Sequence, residues 1–396
     1  MSTDAVAVLG TAMTDMSRRD LQPDQLALQV IAEAMADSGV GAGDLSLVVI
    51  ANASGGRLND QGCTRGQAWL RKSALGDVPI VNIDNSCAGG SSALYLGTLS
   101  ARAQDRPILV LGVEKMWTGD RAATLEAIES GLPADYRADM HERLAEHGNP
   151  AGSILMGLNA WWADKFIEER GATVEQIAAA AVKARRNGSL NPLAQCQQAV
   201  TMDEVLGSAP IAGVLTRFMC SSFTDGAAAL VLAGGSTSFA EPVAHIVGSV
   251  ARSGCGSLDY HDRMAETAGA AYESFGLGPE DFDIVELHDA TSAEELYALE
   301  SLSFFAPGEA GPATISGDTA IGGSGVTVNP SGGLVARGHP LGATGIAQVV
   351  EIVSHLRGRA GSRQVAGARL GLAVNTGGII DGDAGYVGVT AISRPA

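Results

Sequence analysis

The chain has 396 residues, a formal net charge of −18 and a hydrophobic content of 46%. This composition suits a globular α/β protein, and the excess of acidic residues makes nucleic acid or an anionic membrane surface a poor partner. The start of the chain lacks the pattern of a signal peptide, and no run of about 20 apolar residues predicts a membrane span, so we expect a cytoplasmic protein.

The cysteines give no sign of a disulfide framework or of a zinc site. They are scattered and never form a C-x-x-C pair. The five are Cys63, Cys87, Cys196, Cys220 and Cys255. A reducing compartment suits such a chain, and there a single cysteine can act as a nucleophile. We therefore predict no bound metal.

Apolar runs alternate with helical patterns along the first part of the chain. Continuous runs of Val, Ile and Leu predict strands that are buried on both faces of a sheet. These runs begin at Val6, Leu47, Ile80 and Ile108. An amphipathic helix is predicted from Pro23 to Gly39, where the glycine ends it. The alternation is typical of a sheet with helical crossover connections.

The pattern between roughly residues 116 and 222 is polar, helical and rich in charge. Thr173 and Gln176 have the spacing of a capping box, which predicts a helix that continues through Arg186. An insertion of this size before the next apolar run, GAAALVLAGG, predicts a loop domain that covers a site.

The second half of the chain repeats the first in outline. Strands are predicted at VAHIVGSVA, FDIVELH, ARLGLAVN and YVGVTAI, and helices at Asp262 to Phe275, SAEELYALESL and GIAQVVEIVSHL. We interpret this order as an internal duplication. One unit then covers residues 1–240, including the inserted loop domain, and the second covers residues 241–396.

Cys87 lies where a predicted strand meets a predicted helix of small residues. The start of a helix carries partial positive charge, which lowers the pKa of a thiol and favours the thiolate nucleophile. Exposed amides at the same turn can hold an oxyanion. A buried structural cysteine is the alternative interpretation.

Three further corners follow strands, where open α/β sheets place their ligands. His288 lies in ELHDA and His339 in GHPLG, and Gly377 lies in NTGG. A histidine at such a corner can transfer a proton or bind an oxyanion, and glycines bring backbone N–H groups close to a substrate. Either histidine alone would more simply be a structural residue, but two of them together with a cysteine at a helix start indicate a catalytic site.

These motifs together resemble the signature set of thiolases. SCAGGSSAL, the HDA turn, NPSGG and GHPLGATG occur in the order of that family, and AVKARRNGSLNPLAQ is similar to the sterol-carrier-protein type. The resemblance implies a duplicated, five-layered α/β/α/β/α fold with a loop domain over coenzyme A. It also implies a coenzyme A thioester as substrate, no permanently bound cofactor, and a homodimer or homotetramer.

The resemblance also implies roles for single residues. Cys87 matches the nucleophile that accepts the acyl group, and His339 matches the histidine that activates it. His288 matches the histidine that supports an oxyanion site. Gly377 matches the glycine whose amide, with that of Cys87, forms a second oxyanion site.

The sequence departs from the family at the second catalytic cysteine. Common thiolases carry that cysteine at the place of Asn375, and the sterol-carrier type carries it at the place of Ala290. Neither alanine nor asparagine can act as a base near neutral pH, and losing a general acid or base typically costs about 10²–10⁴-fold. Cys255 is a conceivable replacement, although a loop cysteine without catalytic role is the simpler interpretation.

Binding of anionic coenzyme A by an acidic chain requires local positive charge. Lys183, Arg185 and Arg186 form the densest basic cluster, within the predicted loop domain. A solvated helix face is an equally good interpretation of this cluster. Ser253 follows a predicted strand roughly where thiolases place a serine near pantetheine.

Several functions fit this set of residues. The first is a thiolase-like acyltransferase that forms an acyl-cysteine at Cys87. The set Cys87, His288 and His339 also has the composition of decarboxylating condensing enzymes and of C-acyltransferases with acceptors other than coenzyme A. Related retro-aldolases lack all three residues. A non-catalytic subunit is the alternative outside enzymes, and the family also suggests a small OB-fold partner protein.

Overall fold

The computed structural model describes residues 5–17, 20–146, 153–234 and 239–395. The strands are β1 (Val6–Met13), β2 (Leu47–Ala51), β3 (Ile80–Ile83), β4 (Ile108–Glu114), β5 (Pro210–Ala212), β6 (Leu215–Thr216), β7 (Gly226–Gly234), β8 (Ala244–Arg252), β9 (Ile284–Glu286), β10 (Thr327–Val328), β11 (Leu370–Ile380) and β12 (Asp383–Ser393). The helices are α1 (Pro23–Ser38), α2 (Gly55–Leu58), α3 (Arg65–Leu70), α4 (Gly89–Ala103), α5 (Arg121–Glu129), α6 (Ala134–Glu146), α7 (Ile154–Arg170), α8 (Val174–Leu190), α9 (Met202–Leu206), α10 (Tyr260–Phe275), α11 (Ser292–Ser301), α12 (Ala310–Ser316), α13 (Gly333–Ala336) and α14 (Leu341–Leu356).

Ten strands form a mixed sheet in the order β10-β9-β11-β12-β8-β1-β7-β4-β2-β3. From the middle outward, the first half has the order β1, β7, β4, β2, β3, and the second half has the order β8, β12, β11, β9, β10. If only the strands of this sheet are counted, both halves follow the order first, fifth, fourth, second, third. The direction of pairing repeats as well. The three outer strands of each half are parallel, and the remaining pairs within each half are antiparallel. The chain is therefore built from two copies of one topology, and the predicted duplication is confirmed.

Helices α4 and α14 lie between the two half-sheets and contact strands of both. Helix α1 covers the outer face of the first half-sheet, and α10 covers the outer face of the second. Separate apolar cores fill the spaces between these layers. Leu94 of α4 and Ile346 of α14 share the central core, whereas Leu26 of α1 belongs to an outer core. The predicted five-layered arrangement is confirmed.

Glycines allow the two central helices to touch through their backbones. A Cβ atom on Gly345 would lie 2.5 Å from the backbone nitrogen of Ser91, and one on Gly90 would lie 2.9 Å from the carbonyl oxygen of Gly342. Both distances are shorter than real Cβ contacts. The N-termini of α4 and α14 can therefore meet, which brings together the turns that carry Cys87 and His339.

Helices α5 to α9 lie between β4 and β7, within the predicted insertion. The capping box of α8 forms as predicted, with the Thr173 hydroxyl accepting from the Gln176 amide, and the helix continues four residues beyond Arg186. Phe166 of α7 packs on Tyr297 of the second half, with ring centroids 5.2 Å apart. We propose that the boundary between the two units lies near residue 240, between β7 and β8.

No helix in the described ranges is long and apolar enough to cross a membrane.

We expect Gly345→Ala to disturb the contact between α4 and α14, because the added methyl group meets the backbone of α4. Overpacking of this kind costs about 1–3 kcal/mol of unfolding free energy. Gly269→Ala is the matched control, since Gly269 is exposed in α10 with no atom within 4 Å of the added Cβ. Denaturant titration should show a loss for Gly345→Ala and no loss for Gly269→Ala. Equal stability of both variants would contradict the proposed role of this contact.

Candidate active site

Cys87 lies in the tight turn that joins β3 to α4. Ser86, immediately before it, has a φ of 50°, a left-handed conformation that is uncommon for a residue with a side chain. Such strain is retained where the surrounding structure fixes the turn, often at functional sites. Cys87 is partly exposed and packs against an apolar cluster that includes Met116, Ile128 and Leu341. The turn thus presents the sulfur at the mouth of the central helix layer.

The structure brings Cys87 together with both predicted histidines. One ligand atom from each of Cys87, His288 and His339 lies within 4.8 Å of the other two. The histidine rings are nearly perpendicular, with centroids 5.0 Å apart. Residues separated by about 250 positions in the chain therefore form one cluster of a thiol and two imidazoles.

His339 is held by the first turn of α14. Its Nδ1 lies 2.8 Å from the hydroxyl of Thr344, and that hydroxyl donates its one proton to the carbonyl of Pro340 at 3.0 Å. The hydroxyl must therefore accept from His339, which places the ring proton on Nδ1. The free nitrogen, Nε2, then carries a lone pair and can act as a base.

Burial controls the protonation of this cluster. It raises the pKa of the Cys87 thiol to about 11, and the nearby Glu114 carboxyl raises it further against a hydrogen bond from Ser86 that lowers it. Burial also lowers the pKa of His339 well below its usual value, with smaller contributions from His288 and Arg337. The resting pair is thus a neutral thiol and a neutral imidazole. The prediction that the helix start favours a resting thiolate is wrong, because burial outweighs it.

We expect the rate of Cys87 alkylation by iodoacetamide to rise by about tenfold per pH unit above pH 7, because only the thiolate reacts. The rise should continue toward the thiol pKa of about 11. Mass spectrometry of the Cys87 peptide separates its reaction from that of the exposed Cys63 and Cys255. A rate that is already constant below pH 8 would indicate a thiolate–imidazolium pair and contradict this assignment.

Gly377 in β11 lies directly against the Cys87 turn. A Cβ atom at this position would lie 2.2 Å from the backbone nitrogen of Ala88 and 2.8 Å from the carbonyl oxygen of Asn85. Only glycine permits this approach. A cavity of about 280 Å³ opens beside the turn, lined by residues that include Ser86, Leu341 and Gly377.

His288 and Asn375 form a buried pair on the other side of the cluster. The Asn375 side-chain nitrogen lies 2.8 Å from Nδ1 of His288. Burial lowers the pKa of His288 to about 3, and the positive charge of Arg337 adds to this effect. His288 is therefore neutral at physiological pH. Asn375 thus contacts a site histidine directly.

Glu114, at the end of β4, is a site residue that the sequence analysis missed. Its buried carboxylate accepts from the backbone amides of Ala53 at 3.0 Å, Ser54 at 2.9 Å and Gly342 at 2.8 Å. It also accepts from the Ser54 hydroxyl. This carboxylate joins the ends of β2 and β4 to the GHPLG corner. In the sequence, an acidic residue at the end of a buried apolar run could have indicated it.

Lys183 does not serve as predicted. It is buried, its ammonium group pairs with Glu295 at 2.7 Å, and it donates to the carbonyl of Val328 at 3.4 Å. An ammonium group that is already neutralised inside the protein is not available to an anionic ligand. The assignment of Lys183 to coenzyme A binding is therefore corrected.

The other predicted coenzyme A residues lie nearer the surface. The guanidinium of Arg185 stacks 4.7 Å over the ring of Phe218, and Arg186 is exposed. Ser253 is exposed just after β8. Cys255 is also exposed, with its sulfur 3.5 Å from the hydroxyl of Ser257.

Comparison with known proteins agrees with this architecture. The family described as the thiolase N-terminal domain matches residues 6–205, and the family described as thiolase C-terminal domain-like matches residues 255–387. The chain belongs to the thiolase family. The prediction of a thiolase-type acyltransferase is confirmed at this level.

Relatives of this thiolase-family chain span most of its length. It is 35% identical to an acetyl-CoA acetyltransferase of Methanothermobacter thermautotrophicus, covering 94% of this chain and 96% of the relative. It is 33% identical to sterol carrier protein 2 of Bos taurus, covering 94% and 70%. It is 30% identical to the benzoylsuccinyl-CoA thiolase subunit BbsB of Thauera aromatica, covering 91% of each.

A solved structure described as an Ltp2-ChsH2(DUF35) aldolase superimposes on the thiolase-family chain with a TM-score of 0.78. The match covers 99% of this chain and 98% of the other, at 21% sequence identity. At that identity the likeness establishes the fold alone.

Proposed function

We propose that the protein is an acyltransferase that takes an acyl group from an acyl-CoA, or a related acyl thioester, onto Cys87. The observation that carries this proposal is the cluster of Cys87 with His288 and His339, within 4.8 Å of one another. A thiol that is neutral at rest needs a base within reach, and His339 offers the lone pair of Nε2 for this purpose.

Acyl transfer begins when Nε2 of His339 takes the proton of the Cys87 thiol. The thiolate attacks the carbonyl carbon of the substrate thioester, and its oxygen becomes an oxyanion. The carbon–sulfur bond to coenzyme A then breaks, and the departing thiolate recovers the proton from His339. The imidazole of His288 supports one oxyanion site, and the backbone amides of Cys87 and Gly377 form the second. Each such donor is worth about 10²–10³ in rate.

The second half of the reaction separates two candidate functions. An ordinary thiolase needs a second acid or base, but Asn375 and Ala290 stand in the two places where the resemblance to thiolases implies a cysteine. A decarboxylating condensation, or C-acyl transfer to an acceptor other than coenzyme A, needs no such group. Asn375 favours these functions. Its amide is bound to His288 and cannot itself act as an acid or a base. A non-catalytic subunit would have no need for the cluster around Cys87.

Surface features bear on the proposed ligand and partners. The guanidinium of Arg185 stacks over Phe218, which lines a cavity of about 390 Å³ together with Arg217, Asp203 and Glu204. The two carboxylates offset the positive charge of Arg217, so the positive charge for a phosphate-bearing thioester rests on Arg185 and Arg186. Strand β3 ends the described sheet, with Val81 38% exposed, which favours a homodimer or homotetramer that covers this edge. We also propose a small OB-fold partner and a reducing, cytoplasmic setting that keeps Cys87 a free thiol.

Intact-mass spectrometry after incubation with acetyl-CoA and longer acyl-CoAs tests the proposal. We expect the mass to increase by one acyl group per chain, because Cys87 is the acceptor. Cys87→Ala should abolish the adduct, and His339→Gln should slow its formation by about 10²–10⁴-fold through loss of the base.

Cys255→Ala is the control, since this exposed thiol lies outside the cluster. It should form the same adduct as the unaltered protein. If no acyl thioester gives an adduct, or if the adduct persists in Cys87→Ala, the covalent mechanism is excluded.

A further inference from the structure

We propose that Asn375 is a positioning residue that holds His288 with its ring proton on Nε2, facing the reacting atoms. This inference deepens the proposed function and rests on it. The position in which common thiolases carry a cysteine then has a defined task. It determines which nitrogen of His288 donates and which accepts.

Asn375 contacts both Ser91 and His288 from a buried position. The residue is 1% exposed and lies in the middle of β11. Its oxygen lies 3.0 Å from the hydroxyl of Ser91, which donates its one proton either to this oxygen or to the carbonyl of Ala88 at 2.9 Å, and its nitrogen lies 2.8 Å from Nδ1 of His288. In this orientation the amide nitrogen faces Nδ1 and can only donate, so Nδ1 of His288 accepts. The proton of the neutral ring then lies on Nε2.

His339 has the opposite arrangement. Thr344 accepts from its Nδ1, so Nε2 of that ring is unprotonated. Two neighbouring imidazoles are thus fixed in different tautomers by two polar residues of different chemistry. One ring can take the Cys87 proton, and the other can donate a hydrogen bond. Burial and Arg337 keep both rings neutral, since they lower the pKa of each.

This division limits the chemistry of the site. A neutral ring with its proton on Nε2 donates to a developing thioester oxyanion, but it cannot take a proton from carbon. The only base in the cluster is then His339, which has its lone pair free again once coenzyme A has left. Any carbon-bound proton that the acceptor loses must therefore pass to His339, because the cluster offers no second base.

Nitrogen NMR of the full-length protein labelled with ¹⁵N-histidine tests the tautomer directly. The chain has seven histidines, and comparison with His288→Gln assigns the signals of His288. We expect Nε2 of His288 to be the protonated nitrogen and Nδ1 the unprotonated one. The reverse pattern would mean that the amide of Asn375 presents its oxygen, and it would overturn the inference whether or not Cys87 can be acylated.

Asn375→Asp reverses the expected tautomer, because a carboxylate accepts and does not donate. We expect the His288 proton to move to Nδ1. We also expect exchange of the acyl group between acyl-CoA and labelled free coenzyme A to fall by about 10²–10³-fold, as for loss of one oxyanion donor. The acyl-CoA used is the one that gives the largest adduct on Cys87. The adduct itself should still form slowly, since Cys87 and His339 remain.

Two further variants separate positioning from stability. Asn375→Ala removes the donor without adding charge and should give a similar loss of exchange. Asn187→Asp changes a buried asparagine outside the cluster, whose nitrogen donates to the carbonyl of Asn329 at 3.0 Å. It should leave the His288 signals unchanged. Unchanged His288 signals and exchange in Asn375→Asp would refute the role of Asn375, whereas an absent adduct in the unaltered protein would refute the proposed function instead.

Discussion

The backbone contact between α4 and α14 is the constraint on which the rest of the structure depends. Each central helix belongs to a different copy of the duplicated topology, and each begins at a turn that carries chemistry. Gly90 and Gly345 let the two helices meet without intervening side chains. Because of this contact, Cys87 from the first copy reaches His339 from the second. The active site is therefore a product of how the two copies pack and does not belong to either one.

The same packing sets the electrostatics of the site. Removing Cys87 and the histidines from water favours their neutral forms, so the thiol depends on a neighbouring base and is not activated in advance. Glu114 stabilises the corner that carries His339, although its carboxyl also raises the pKa of Cys87. Glu114 therefore fixes the position of this corner and at the same time makes the Cys87 thiol less reactive. The thiol is activated only when His339 and a substrate thioester are both in place.

Local patterns predicted the order of strands and helices, because period and glycine placement are properties of neighbouring residues. The motif resemblance predicted the meeting of Cys87 with His288 and His339. Properties that depend on residues distant in the chain could not be predicted from the sequence. Lys183 is neutralised by Glu295, more than 100 residues away, and Cys87 packs against an apolar cluster with residues from both halves of the fold, Ile128 and Leu341. The partner of Asn375, His288, likewise lies on another strand end.

The central claim is that Cys87 carries the acyl group while the cluster holds a single base. It is tested most directly by incubating the protein with an acyl-CoA in D₂O and analysing both the Cys87 peptide and the recovered acyl-CoA by mass spectrometry. We predict an acyl group on Cys87, and we predict that any deuterium at the α-carbon of this acyl group, beyond that in the Cys87→Ala control, is lost in His339→Gln. Enzyme-dependent deuterium that persists in His339→Gln, or that appears without acylation of Cys87, would contradict the claim.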